Sequence, residues 1–202
     1  MGVKYLVASP GRSGSIFVTM TIAKSLRLQS VFSLSTENIN SAVSIVRHTH
    51  DATLQLPNHD IVVVQPYRCN LFKELVSAVI GETYNEWSDN SYTGNREPFV
   101  CDLDLFRIKY IWHKKWHQAF EHYTVYSNRV YLCFEDFIGN SSAVCKALDI
   151  PTCNLKTQKS PYSENNILNI DQLQQEFDIL EKDQTIQTAP IENFTWVDLK
   201  AL

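Results

Sequence analysis

The sequence predicts an α/β protein in three layers: a central, mostly parallel β-sheet flanked by helices on both faces. Three observations lead there. Short apolar runs recur at Tyr5–Ala8, Ile61–Val64 and Val130–Phe134. Longer segments with helical spacing of apolar residues separate them. The clearest run, Ile61-Val62-Val63-Val64, is β-branched throughout, which suits a strand buried on both sides in a parallel sheet.

Taken in order, Lys4 to Ala8 reads as a buried strand that ends at Ser9-Pro10-Gly11. Ile16 to Leu28 follows as a helix, with Ile16, Met20, Ala23 and Leu26 near one face and Ser13 or Ser15 as its cap. Val31 to Leu34 reads as a strand, and Ile39 to Val46 as a short helix or strand. Ile61–Val64 is bounded by Asn58-His59-Asp60 and Pro66. Leu71 to Tyr84 is helical, and the polar stretch from Asn85 to Pro98 is a loop. Leu103 to Tyr123 is a long amphipathic helix. Val130 to Phe134 is a strand, Ser141 to Leu148 a helix that stops before Pro151, and Ile170 to Leu180 a last helix.

At 202 residues, with 44% hydrophobic and 20% charged residues, the chain reads as a single domain spanning 1–202. The net charge of −4 argues against a broad nucleic-acid surface, which requires a basic excess. No apolar run approaches the roughly 20 residues of a membrane helix. The apolar N-terminus is too short for a signal peptide, and Leu6 stands where a myristoylation motif has Ser or Thr. A cytoplasmic protein without nucleic-acid or membrane partners is expected. The five cysteines are odd in number and form no CxxC pair, so they read as reduced, mostly buried thiols.

The most informative segment is Ser9-Pro10-Gly11-Arg12-Ser13-Gly14-Ser15, at the first strand-to-helix junction. Backbone N–H groups there lack partners and the helix dipole is positive, so anions bind. Gly11 and Gly14 let the backbone approach a phosphate closely. Ser13 and Ser15 add hydroxyl donors and Arg12 a fixed charge. The segment is neither GxxxxGK[ST] nor GxGxxG, which weakens an NTPase or dinucleotide reading.

This loop resembles the 5′-phosphosulfate loop of sulfotransferases that use 3′-phosphoadenosine-5′-phosphosulfate, a family with a P-loop-like fold. Further segments follow in the family's order. Arg47-His48-Thr49-His50-Asp51 resembles the Lys-Thr-His segment that carries the base. Ile61–Val64, then Arg68 and Ser77, is similar to the strand, Arg and helical Ser that bind the 3′-phosphate. Gln65 stands directly after the Ile61–Val64 run, three positions before Arg68. Arg129 to Phe137 looks like the strand ending in Tyr-Glu-Asp-Leu, and Asn166 to Leu173 like the Ile-x-Asn-Tyr-x-Glu-Leu stretch.

The resemblance implies a sulfotransferase that moves a sulfuryl group from the nucleotide donor to a hydroxyl or amine of a small molecule, sugar or peptide. Pro10, Gly11, Arg12, Ser13, Gly14, Ser15, Arg68 and Ser77 would bind the donor, and no metal is expected. Charge developing on the sulfuryl and leaving oxygens would be met by Arg12 and the loop. His50 is the first choice for the base, with His48 two residues away and Glu37 as the other candidate. A P-loop-like nucleotide kinase and a non-catalytic nucleotide- or glycan-binding domain stay open as alternatives. Outside this set, His113 and His117 at i, i+4 read as a solvated helix face. Trp112, Trp116, Phe120 and Tyr123 read as a core stripe, and Glu135 and Asp136 as structural, cap-type residues.

Overall fold

The computed structural model describes residues 4–32, 45–49, 61–84, 97–123, 128–155, 166–183 and 185. In chain order the elements are β1 (Lys4–Ala8), α1 (Ser15–Leu26), β2 (Gln29–Phe32), β3 (Ile45–Thr49), β4 (Ile61–Tyr67), α2 (Leu71–Tyr84), α3 (Leu103–Tyr123), β5 (Asn128–Cys133), α4 (Phe134–Phe137), α5 (Ser141–Ala147) and α6 (Ile170–Lys182). The chain divides into two compact units, Met1–Cys69 with Ala119–Thr157, and Asn70–Gln118 with Gln158–Leu202. No helix among the described residues is long and apolar enough to cross a membrane.

The first unit holds a five-stranded sheet in the order β2-β3-β1-β4-β5, parallel at every pairing. The α/β class with a parallel sheet is therefore as expected. Helices α1 and α5 pack on one face, where Val7, Val18, Ile22, Val64, Leu132 and Val144 form one core. Residues of the opposite parity, Leu6, Ala8, Ile61 and Val63, are buried as well. Alternate residues of a strand point to opposite faces, so burial of both sets explains why β1 and β4 read as unbroken apolar runs.

Several boundaries differ from expectation: α1 starts at Ser15 and stops at Leu26, β5 runs Asn128–Cys133 with Phe134 opening α4 instead of ending the strand, α5 stops at Ala147 and α6 runs on to Lys182. β2 begins at Gln29 instead of Val31. β3 takes only the end of the Ile39–Val46 segment and continues through Arg47-His48-Thr49. β4 runs past Val64 through Pro66 to Tyr67. Proline fits there because β4 pairs with β1 only over Ile61–Val64, and beyond that point the missing N–H costs no ladder bond on that side.

The second unit contains α2, most of α3, and α6. Leu75, Val79, Phe106, Tyr110 and Leu173 are its buried centre. α2 and α3 have the expected bounds, and each start is capped by a side chain. Asn70 Oδ1 accepts the Lys73 N–H at 3.0 Å, and Asp102 Oδ1 accepts those of Asp104 and Leu105 at 2.8 and 3.2 Å. Arg107 clasps Glu176 of α6 with two hydrogen bonds, 2.7 and 3.0 Å long. A parallel bridge joins Phe99 to Ile167.

Candidate functional site

The chain leaves β1 through α1 toward β2 on one side, and leaves β4 toward β5 on the other. Between the C-terminal ends of β1 and β4 the two paths diverge. In open α/β sheets such a switch point opens the crevice where ligands bind. The Ser9–Gly14 loop follows β1, and Arg68 is the first residue after β4, so both lie at this crevice. The extension of β4 to Tyr67 removes the apparent displacement of Arg68 from its strand: Gln65, buried, is a strand residue.

The loop owes its path to left-handed backbone at Gly11 (φ 105°), Arg12 (φ 58°) and Gly14 (φ 78°). Ser13, between Arg12 and Gly14, lies outside that region, so the backbone changes hand twice from Arg12 to Gly14, the type of turn from which anion-binding concavities of N–H groups are built. Ser9 Oγ accepts the Gly11 N–H at 3.2 Å and closes the entry to the turn. The expected serine cap of α1 is corrected: Gly14 is the N-cap, Ser15 is the first helical residue, and no side chain caps the helix. Ser13 Oγ is fully buried and has no hydrogen-bond partner among the described residues. Such a group costs roughly 1–3 kcal/mol, and an anion in the loop would satisfy it. Pro10 is buried.

Arg68 braces the loop. Its Nε–H donates to the Arg12 carbonyl at 2.8 Å, offsetting the strain of a left-handed non-glycine residue. Its guanidinium lies over the Phe134 ring, 4.3 Å from the centroid. Phe134 also fills the space beside Gly14, where a Cβ would stand 2.7 Å from ring carbon Cδ2. Glu135 accepts the Cys69 N–H on Oε2 at 3.0 Å, a structural role for that carboxylate.

Of the other expected site residues, Ser77 lies half-buried on α2 in the second unit. His48 is on β3, with its backbone paired to Val7 and Phe32. Thr49 pairs with Ala8, so β3 ends on the sheet edge that carries the loop. His50 and Glu37 lie outside the described residues.

Three features escaped the sequence reading. Cys69 and Cys133 form a disulfide, correcting the expectation of reduced thiols throughout; Cys101 and Cys145 are buried free thiols. Register explains it, since Tyr67 pairs with Cys133 at the joint end of β4 and β5, a proximity that nothing in the sequence marks. Cys69, Cys133 and Glu135 are also the one group among the described residues with three potential metal-ligand atoms within 4.8 Å of one another, although the S–S bond occupies both sulfurs. Third, His113 and His117 are not a solvated face. His113 is 8% exposed with Nε2 3.5 Å from Oε1 of buried Glu74, and the His117 ring is 4.5 Å from that of His113. Burial, with His113 and Lys114 nearby, lowers the His117 pKa to about 3. The core-stripe reading agrees with Trp116 and Phe120, both fully buried.

Comparison with family models, with curated proteins and with solved structures returned no match for this chain.

Proposed function

We propose that this chain is a sulfotransferase that uses 3′-phosphoadenosine-5′-phosphosulfate and delivers its sulfuryl group to a hydroxyl or amine acceptor, on a P-loop-like sulfotransferase fold. The observation that carries the reading is the Ser9–Ser15 loop: left-handed at three positions, entering its helix through a glycine N-cap, holding an unpartnered buried hydroxyl, and seated at the β1/β4 switch point. The likeness of Pro10–Ser15 to the family's 5′-phosphosulfate loop turns an anion site into this particular substrate class.

In this reading the N–H groups after Arg12 and the Ser13 hydroxyl bind the 5′-phosphosulfate, Arg12 supplies positive charge beside it, and Arg68 takes the 3′-phosphate. Such donors stabilise charge that builds on the sulfuryl and bridging oxygens as the S–O bond to the nucleotide breaks. The acceptor oxygen or nitrogen forms the new bond to sulfur and gives its proton to a base, His50 in first place, with His48 or Glu37 in reserve. The end of β3 at Thr49, beside Ala8, supports a base drawn from the residues that follow.

Isothermal titration of the full chain with 3′-phosphoadenosine-5′-phosphate in the absence of magnesium tests the reading. Micromolar-range binding is expected, and Arg68→Ala should weaken it by about 1.5–3 kcal/mol, the range of a charge-assisted hydrogen bond. Binding of ATP with magnesium, and none of the bisphosphate, would replace this reading with that of a nucleotide kinase.

A further inference from the structure

We propose that the Cys69–Cys133 disulfide is an exchangeable redox site that sets the order of the Ser9–Ser15 loop and, resting on the anion-binding reading above, the loop's affinity for its ligand. The bond spans 64 residues of sequence and joins the ends of neighbouring strands. Each cysteine adjoins a residue that holds the loop. Arg68 precedes Cys69 and bonds the Arg12 carbonyl. Phe134 follows Cys133, carries the Arg68 guanidinium on its ring and packs against Gly14. Loop, Arg68, Cys69, Cys133 and Phe134 therefore form a closed circuit, and the S–S bond is its covalent link. Opening that bond leaves the two arms held by non-covalent links: the pairing of Tyr67 with Cys133, the Cys69 N–H bond to Glu135 and the cation–π contact of Arg68 with Phe134.

The two sulfurs differ in access. Cys69 is exposed, whereas Cys133 is buried, so a small reducing dithiol reaches Cys69 first. Its thiolate attacks Cys69 Sγ, the S–S bond breaks, and Cys133 departs as a thiolate that takes a proton. The reductant's second thiolate then displaces Cys69 from the mixed disulfide. Two protein thiols result, two electrons pass to the protein, and the reductant ends as its own disulfide. The reduced form has an acceptor in place: Glu135 Oε2 lies 3.1 Å from Cys133 Sγ, within reach of the new S–H. Reoxidation by a small-molecule disulfide runs the same steps in reverse.

The test equilibrates the full chain with oxidised or with reduced dithiothreitol, then alkylates and weighs it. Three free thiols are expected in the oxidised state, and all five cysteines in the reduced state. Hydrogen exchange of segment 10–17 should then be faster in the reduced protein by about tenfold, the signature of local opening, while exchange of segment 71–84 stays unchanged. The double variant Cys69→Ser with Cys133→Ser should exchange at the reduced rate in both buffers, and Cys153→Ser should respond as the parent does. Binding of inorganic phosphate should weaken in step with loop opening. Phosphate binding absent in both states, with loop exchange still redox-dependent, would remove the anion reading and retain the redox site. Five thiols under oxidising conditions, equal loop exchange in the two states, or equal acceleration of segment 71–84 would each overturn the proposal.

Discussion

At position 14 the backbone has a φ of +78°, and an added Cβ would stand 2.7 and 2.9 Å from two ring carbons of Phe134 and 3.1 Å from one of Phe137. Backbone conformation and side-chain packing each demand glycine there. Gly14→Ala adds left-handed strain, about 1–2 kcal/mol, to overpacking of roughly 1–3 kcal/mol. The expected loss of about 2–5 kcal/mol is measurable as a lower urea midpoint. Phe134→Leu in the same chain should restore part of it, and a fully additive double variant would show that the ring contact does not matter. Glycine at this turn was legible from the sequence as a requirement of close backbone approach. Its contact with Phe134 was not, because residue 134 reaches the loop only through the pairing of β4 with β5. Ser13 was legible as a hydroxyl donor, whereas its burial without a partner was not.

Elements in this chain are joined by a few polar side chains that replace backbone pairing. Asn169, just before α6, does not cap its own helix. Its Oδ1 accepts the Cys101 N–H at 2.8 Å and its Nδ2 donates to the Cys101 carbonyl at 2.9 Å, so one amide mimics a strand neighbour and ties the start of α6 to the segment entering α3. Asn169→Asp keeps the shape and the acceptor but sets a carboxylate oxygen against the Cys101 carbonyl. A loss of about 1–3 kcal/mol is expected, larger than that of Asn169→Ala, which leaves the carbonyl unpaired without repelling it. Thermal melts of the two variants give the comparison, and the reverse order would exclude the two-way clamp. The helices themselves were legible to the residue at α2 and α3, where caps at Asn70 and Asp102 coincide with the start of apolar periodicity. The orientation of α3 was not legible. His113 and His117 look like a polar face because their residue types are polar, yet the packing of α2 turns Glu74 toward His113.

For the whole molecule, that buried histidine makes stability depend on pH. His117 has a folded-state pKa of about 3, against an ordinary value near 6.5. Between those values the unfolded chain binds a proton that the folded chain does not, so stability rises with pH across that window and falls as the solution is acidified. From pH 6.5 to 5, where most carboxylates keep their charge, the loss from this one group is about 1.6 kcal/mol. Urea titrations at these two pH values should show it, and His117→Gln should flatten the dependence. An unchanged slope in the variant would mean that the imidazole is hydrated in the folded protein.

By itself the sequence determined the α/β class, the strands β1, β4 and β5, the bounds of α2 and α3, and the place of the Gly/Ser loop at the first strand-to-helix junction. These are local properties: apolar period, β-branching, caps and turn residues act over a few neighbouring positions. Tertiary structure alone decided what stands beside that loop. The insertion of β3 between β2 and β1, the register that sets Cys133 against the end of β4, and the stacking of Arg68 on Phe134 bring together residues far apart in the chain. Such pairings follow from packing on both faces of β1 and β4, and no short window of sequence carries that information.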